Sequence, residues 1–334
     1  MKAIVMTSTG GPDVLQMQEL KKPHIQKPTE VLIQLKAAGI NPVDTKLRRK
    51  GTFKAQDRPI ILGCDGAGIV EAVGPNVVDF KTGDEVYFCS GGLGKTKTGN
   101  YAEYTVVEDY LITHKPESIT FAEAAAAPLV LITAWEALFD RCNLTPDQKV
   151  LIHAGAGGVG HVAVQLAKLK GAEVCTTVSS PDKARLVRQL GADHPIIYTQ
   201  TDFVAGVLDW TGGQGVDIAF DTVGGKTFFD TCPTVKVYGD LVTILEPDGG
   251  VGNLKTARDR NLRISLELML SPALLGLTEA LKHQTSILKQ CATWIDAGKI
   301  KIHLGQTFPL EEANKAHQLL ETGSVTGKIA LEIN

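Results

Sequence analysis

Apolar and polar residues alternate in several short runs through the first 120 residues. In EVLIQLKAAGI (Glu30–Ile40), Val31, Ile33, Leu35 and Ala37 alternate with Leu32, Gln34 and Lys36, the two-residue period of a strand. KAIVM (Lys2–Met6) and NYAEYTVV (Asn100–Val107) are β-rich, and the turn signals GPN and KTGD cut the stretch from Gly66 to Phe88 into two further runs. Short, evenly spaced strands with little helix predict a small, partly closed β-barrel.

From residue 121 the period changes. TFAEAAAAPLVLITAWEAL is helix-prone, and its proline is placed to start a second helix. Strands and helices then alternate. KVLIHAG reads as a buried strand. In GVGHVAVQLAKLKG, Val159, Val162, Ala163, Leu166 and Leu169 stand at helical spacing before Gly171. AEVCTTV, HPIIY, VDIAFDTVG, GDLVTIL and LRISLELM read as strands, and SPDKARLVRQLGA and DFVAGVLDWTGG as helices. This rhythm predicts a doubly wound parallel sheet. The tail, SPALLGLTEALKHQTSILKQCATWIDAGKI, reads as helix and FPLEEANKAHQLLETG as a second, amphipathic one. A last strand, GKIALEI, is expected to return to the first domain.

Composition narrows the function classes. A chain of 334 residues, 43% apolar, has room for two domains with cores of their own. The net charge of −3 gives no basic excess for nucleic acid or acidic lipid. The one basic cluster, KLRRK (Lys46–Lys50), reads mostly as a solvated face. Cys64, Cys89, Cys142, Cys175, Cys232 and Cys291 are dispersed without a C-x-x-C pair, which argues against a disulfide framework and suits a reducing, cytoplasmic setting. The first residues show no signal or transit pattern, and AAAAPLVLITAW is too short to span a bilayer.

Candidate chemistry starts at HAGAGGVG, which contains Gly155-x-Gly157-x-x-Gly160 between a strand and an amphipathic helix. Gly155 suits the tight turn, Gly157 a close approach of backbone to pyrophosphate, and Gly160 tight helix–strand packing, with Gly158 and Val159 opening the helix toward the phosphates. A dinucleotide site selective for NAD usually carries Asp or Glu at the end of the second strand. Here Ser179, Ser180 and Lys183 stand there, and hydroxyls with an ammonium suit a 2′-phosphate; the expected cofactor is NADPH. Asp182 is expected to cap or start the following helix. His153 and His161 read as core or capping residues, and the other histidines have no metal-ligand spacing. GCDGAG (Gly63–Gly68) sets a thiol beside a carboxylate and raises the question of a metal.

The blocks AAGINPVD, GCDGAGIVEAVGPNVVDFKTGDEV, GNYAEY, LITAWEAL, HAGAGGVGHVAVQLAK, VSSPDKARLVRQLGAD and TGKIAL resemble, in order, those of the medium-chain dehydrogenase/reductases, in the zinc-free quinone oxidoreductase (zeta-crystallin-like) branch. The resemblance covers essentially the whole chain. It implies an α/β plus β fold: a GroES-like β-barrel catalytic domain from residues 1–122 plus 270–334, and an inserted Rossmann dinucleotide-binding domain over 123–269, with the active-site cleft between them. It also implies a homodimer, or a dimer of dimers, with RISLELM near the edge of the Rossmann domain where family members pair. By the same resemblance Thr133 sits beside the nicotinamide, Tyr198 joins Ser180 and Lys183 at the 2′-phosphate, Thr222 and Leu245 touch the ribose region, and Lys328 reaches the cofactor.

Zinc members of the superfamily carry a cysteine ligand at the NPVD position and Gly-His-Glu at the GCDGAG position. Asn41 and Cys64-Asp65 replace these here, and the lobe that holds four cysteines in zinc enzymes has Cys89 alone, so no metal is expected. Cys64 and Asp65 read as shaping the floor near the nicotinamide. Without zinc, quinones and α,β-unsaturated carbonyls are the acceptors of choice, since hydride addition spreads charge onto an oxygen that one or two hydrogen bonds can hold. Asn41 is a candidate donor, Lys46 a candidate cation or proton source, and Asp44 a further candidate beside its plainer reading as a turn cap. The stretch TKLRRKGTF, with Lys46 and Phe53, departs from the tyrosines often found there, so substrate preference does not carry over. The expected function is NADPH-dependent reduction of quinones or activated alkenes. The alternatives are an enoyl-thioester or alkenal reductase, and a non-catalytic NADPH-binding protein.

Overall fold

The computed structural model describes residues 1–52, 60–94 and 98–334; Phe53 lies outside them. The chain forms two compact units, one from residues 1–129, 270–298 and 302–334, the other from 130–269 and 299–301.

The first unit opens with β1 (Lys2–Met6), β2 (Leu15–Glu19) and β3 (Glu30–Ile40). Helix α1 (Pro42–Lys50) follows, then β4 (Ile60–Ile61), β5 (Asp65–Val73), β6 (Glu85–Cys89), β7 (Tyr104–Glu108), β8 (Ile112–His114) and α2 (Phe121–Ala126). The alternation read in Glu30–Ile40 forms one long strand that pairs with β5 along its length and with β7 at its start. Gly63, at φ +90°, leads into β5; a Cβ there would meet the Tyr101 ring at 2.5 Å. The sequence reading allowed little helix before residue 121, yet α1 forms. Pro42 starts it, the Asp44 carboxylate accepts the Asn41 N–H at 2.8 Å, and Arg48 is fully buried. Most of KLRRK is solvated as read, but Arg48 gives Nε to Gly10 O (3.1 Å) and pairs with Glu321. Helix α2 packs on β3 so tightly that a Cβ at Gly39 would sit 2.2 Å from Ala125 O, which is why this unit runs on past residue 122.

The second unit begins within α3 (Pro128–Trp135), started by its proline as expected. It continues with β9 (Lys149–Ile152), α4 (Gly158–Leu169), β10 (Glu173–Val178), α5 (Pro181–Gln189), β11 (His194–Ile197) and α6 (Phe203–Trp210). β12 (Val216–Asp221), α7 (Lys226–Thr231), β13 (Val235–Thr243), α8 (Lys255–Asp259) and β14 (Arg263–Leu266) complete it. All six strands are parallel, in the order β11-β10-β9-β12-β13-β14. That order places a topological switch between β9 and β12, where doubly wound sheets bind ligands at the strands' carboxyl ends. Leu151, Cys175, Ala219 and Leu241 from four neighbouring strands are buried in its core with Phe228.

The chain then returns to the first unit through α9 (Ser271–Leu275), α10 (Thr278–Asp296), β15 (Leu304–Pro309), α11 (Ala313–Glu321) and β16 (Lys328–Glu332). The tail is two helices rather than one, broken at Gly276 in the left-handed region. Phe308 and Pro309 belong to strand β15 rather than to the helix read there. β16 pairs with β3 antiparallel, Ile329 opposite Ile40, so the last strand does complete the first unit. The strand pairs run β15-β16-β3-β5-β6-β8 with β7 on β3, an open path, and among the described residues no closed ring forms. Among the described residues no helix is long and apolar enough to cross a membrane.

Candidate functional site

The glycine loop lies at the switch point, between β9 and α4. A Cβ at Gly155 would stand 2.1 Å from Thr176 Oγ1, and one at Gly160 only 2.2 Å from Ala154 O. Both positions are closed to side chains by the protein itself. At Gly157 the nearest atom is 3.1 Å away, so that face of the loop is left for something else. Gly157 caps α4 with no side chain bound across the first turn, which leaves the N–H groups of that turn, from Gly158 and Val159 onward, for an anion.

His153 holds this loop from below. Thr231 gives its hydroxyl proton to Thr227 O (2.6 Å), so it accepts from His153 Nε2 at 2.8 Å. Nδ1 then accepts from Thr177 at 3.1 Å, and Thr177 Oγ1 accepts the Ala154 N–H. The imidazole is neutral, its pKa pushed down to about 4 by burial. His161 likewise sits in the core, Nδ1 3.0 Å from Gly157 O. Both histidines have the structural roles read for them.

Four candidate cofactor residues gather at the carboxyl ends of β10 and β11. Ser180, rather than Asp182, caps α5, accepting the Lys183 N–H at 3.3 Å; Asp182 stands in the first turn and pairs with Arg185. Ser179 O accepts from Thr199, Lys183 is half-buried, and Tyr198 is 53% exposed. Of these four, Tyr198 lines a cavity of about 440 Å³, together with Ala154, Thr177, Phe203 and the carboxylates Asp202 and Asp230 among others. That volume lies in the range of small-ligand pockets.

Thr222 donates to His153 O at 2.7 Å. Leu245 N donates to Thr243 Oγ1 at 3.1 Å, and Leu245 lies against Gly224. Asp221 ties these two strand ends together, accepting from Val223 N and Gly224 N at 2.9 Å and from the Thr243 hydroxyl at 2.9 Å. Asp221, Thr177 and Thr243 were missed in the sequence; the only signal was an acid at the end of a buried strand. Thr133 is buried on α3 of this unit.

In the first unit a second cluster forms around Asn41. Its Oδ1 accepts from the Lys328 ammonium, which also donates to Ile40 O at 2.8 Å. Its Nδ2 donates to Asp65 Oδ2 at 2.8 Å and lies 3.8 Å from Cys64 Sγ. The amide of Asn41 is thus engaged inside the protein, and Lys328 spends its ammonium here. Burial pushes the Asp65 carboxyl up and the Lys328 ammonium down, each opposed by the other's charge. Asp44, besides capping α1, accepts from the Tyr101 hydroxyl at 3.0 Å, and Tyr101 also meets His317 Nε2 at 3.1 Å. Burial pushes Asp44 up to about 7, against the hydrogen bonds of Asn41 and Tyr101, and pushes His317 down to about 3. Structure thus brings Asn41, Asp44 and Lys328 together, while Lys46 points outward from α1.

One further arrangement lies beside this cluster. The register of β5 and β6 sets Asp65 opposite Cys89. As a result the ligand atoms of Cys64, Asp65 and Cys89 all lie within 4.8 Å of one another. Cys89 was read as standing alone because its partners are remote in sequence.

Residues 27–117 match the alcohol dehydrogenase GroES-like domain, and residues 190–331 match the zinc-binding dehydrogenase model. The chain is 34% identical over 334 residues to a quinone oxidoreductase of Pseudomonas aeruginosa, with 99% of each chain covered. It is 35% identical over 340 residues to the chloroplastic NADPH-dependent alkenal/one oxidoreductase of Arabidopsis thaliana, covering 99% of this chain and 79% of that one. Its fold matches the crystal structure of Escherichia coli quinone oxidoreductase complexed with NADPH at a TM-score of 0.86, with 30% identity over 99% of this chain and 100% of that one. The name of the second model implies zinc. At Asn41 the donor chemistry does not fit: an amide stands for a thiolate and is bound to an ammonium. The thiol–carboxylate group of Cys64, Asp65 and Cys89 is a different donor set.

Proposed function

We propose, from the premise that the chain belongs to the medium-chain dehydrogenase/reductase superfamily and its quinone oxidoreductase family, that it is an NADPH-dependent reductase of quinones or α,β-unsaturated carbonyl compounds, acting by hydride transfer. NADPH, when bound, supplies the hydride. The observation that carries the reading is the glycine loop, closed at Gly155 and Gly160 and open at Gly157, beneath an uncapped helix N-terminus. Gly158 and Val159 would offer backbone N–H groups to the pyrophosphate. Ser179, Ser180, Lys183 and Tyr198 would take the 2′-phosphate, and Thr222 and Leu245 the ribose region. This is supported by the lack of a carboxylate at Ser179 and Ser180, where one would repel that phosphate.

Thr133 is assigned to the nicotinamide. Asn41, Asp44 and Lys46 are assigned to the acceptor. The engagement of the Asn41 amide supports a positioning part for it. Asp44, with its raised carboxyl, is the group in that cluster suited to hold a proton near neutral pH.

Following the loss of reduced nicotinamide absorbance across a panel of quinones, enones, alkenals and enoyl thioesters tests the reading. Turnover of quinones or enones is expected. Turnover confined to alkenals or enoyl thioesters would move the function to the alternative that the Arabidopsis relative's name favours. Tight NADPH binding with no acceptor turned over would leave a binding protein.

A further inference from the structure

The cavity that Tyr198 lines is not built for a phosphate. Asp202 and Asp230 both face it, and among the described residues its lining holds no lysine or arginine. Its other walls include Phe203, Val223 and Tyr198. The Phe203 ring stands at 90° to the ring of the buried His153, with 4.9 Å between centroids, which fixes that wall. Val223 and Tyr198 are 47% and 53% exposed, so two large side chains just past the ends of β12 and β11 stand uncovered. Apolar walls with carboxylate acceptors suit a flat, uncharged ring that brings an N–H donor. We propose that this cavity takes the adenine base of NADPH, and that Asp202 accepts the base's amino group and so selects adenine over a base with a carbonyl in that place.

On the NADPH reading, on which this assignment rests, the 2′-phosphate held by Ser179, Ser180 and Lys183 sits on the ribose carbon next to the one that carries adenine. That phosphate therefore brings the base to the carboxyl ends of β10 and β11, where Thr177 and Tyr198 line the cavity. The two carboxylates differ in what already engages them. Asp230 Oδ2 accepts from the Lys226 ammonium at 2.6 Å, so its charge is met within α7. Asp202 caps α6, its Oδ1 accepting the Ala205 N–H at 2.9 Å, and among the described residues its Oδ2 has no partner. One acceptor oxygen, oriented by a helix cap and without a cation, is thus left for the cavity. The adenine amino group supplies the N–H for a charge-assisted bond to it. Hypoxanthine carries a carbonyl oxygen at that carbon, which sets lone pairs against the carboxylate.

The test compares NADPH with its deamino form, in which hypoxanthine replaces adenine, by fluorescence titration of the full-length protein. The wild type should bind NADPH about 10–100-fold more tightly, the worth of a charge-assisted hydrogen bond. Asp202→Asn keeps the cap, since the amide oxygen accepts the Ala205 N–H, and turns an NH₂ group toward the base. In this variant NADPH should weaken at least about tenfold while the deamino form gains, so that the preference vanishes or inverts. Asp209→Asn removes a charge from the exposed far end of the same helix and should leave both dissociation constants unchanged. Melting curves check that each variant is folded. Equal wild-type affinity for the two nucleotides, a preference that survives Asp202→Asn, or an equal shift in Asp209→Asn would each overturn the part given to Asp202 while the NADPH reading stands. Failure of the wild type to bind NADPH would overturn both.

Discussion

Lys328 on the last strand donates to the side-chain carbonyl of Asn41, at the end of β3, and so places a buried cation beside Asp65. Replacing it by methionine removes the charge and leaves Asp65 buried without its counter-ion. Lys328→Met is expected to lower unfolding free energy by about 3 kcal/mol, the scale of a buried pair broken on one side. Denaturant midpoints measure it. A change within about 0.5 kcal/mol, the size seen at neutral surface sites, would show that the ammonium does not hold this cluster.

Asp44 gives the fold a signature in pH. Its carboxyl is raised to about 7, so the folded chain binds that proton more tightly than the unfolded one. The stabilisation is full below the ordinary aspartate value of about 4 and is lost as pH rises through about 7, up to a total on the order of 4 kcal/mol. Asp44→Asn keeps an acceptor for Asn41 N–H and Tyr101 but cannot titrate. The stability gap between wild type and variant should therefore narrow or reverse from pH about 5 to about 8. Parallel pH curves for the two proteins would count against this account.

The glycines of the loop should separate by role. Gly160→Ala drives a methyl into the Ala154 carbonyl and is expected to cost about 1–3 kcal/mol of stability. Gly157→Ala meets its nearest atom at 3.1 Å, so the fold should survive while NADPH affinity falls at least about tenfold, roughly 1.4 kcal/mol. Melting curves paired with NADPH titration distinguish the two. Equal destabilisation by both would remove the distinction.

Lys183 is expected to select the cofactor. Lys183→Ala should weaken NADPH by about 10–100-fold, the worth of a charge-assisted hydrogen bond, and leave NADH nearly unchanged. An unaltered ratio of the two dissociation constants would refute its part in reading the 2′-phosphate.

Among the described residues β14 is the end strand of the parallel sheet, and its last residue, Leu266, and Leu268 just beyond it are 63% and 52% exposed. Pairing of two copies at this edge is proposed, by hydrogen bonding of the free strand and cover of those leucines. Light scattering should give a dimer for the wild type and a monomer for Leu266→Asp. A wild-type monomer ends the proposal.

The elements with a clear period were legible. β3 showed its alternation, and the α4 stripe with its glycine loop announced a nucleotide-binding unit. α1 was hidden because PVDTKLRRK has no apolar stripe; a cap from Asp44 and the burial of Arg48 hold it instead. β15 was hidden because LGQTFP is paired in parallel to β16 and has only a weak pattern of its own. The site residues followed the same division. Gly155 and Gly160 are local matters of space, so spacing revealed them. The meeting of Lys328 with Asn41, and of Cys89 with Cys64 and Asp65, depends on strand register, which no single stretch of sequence states.

The pairing of β16 with β3 also sets an order on biosynthesis. A ribosome releases Asn41 and Asp65 long before it makes Lys328, so the first unit emerges lacking both its closing strand and its internal cation. Every strand of the nucleotide-binding sheet, by contrast, is complete in one continuous stretch before that. The middle of the chain can therefore fold while its two ends wait for each other, reversing the usual N-terminus-first sequence of nascent domains. A chain cut short before Lys328 would emerge with its dinucleotide fold whole and the edge of β3 uncovered, a form suited to recognition by chaperones and proteases.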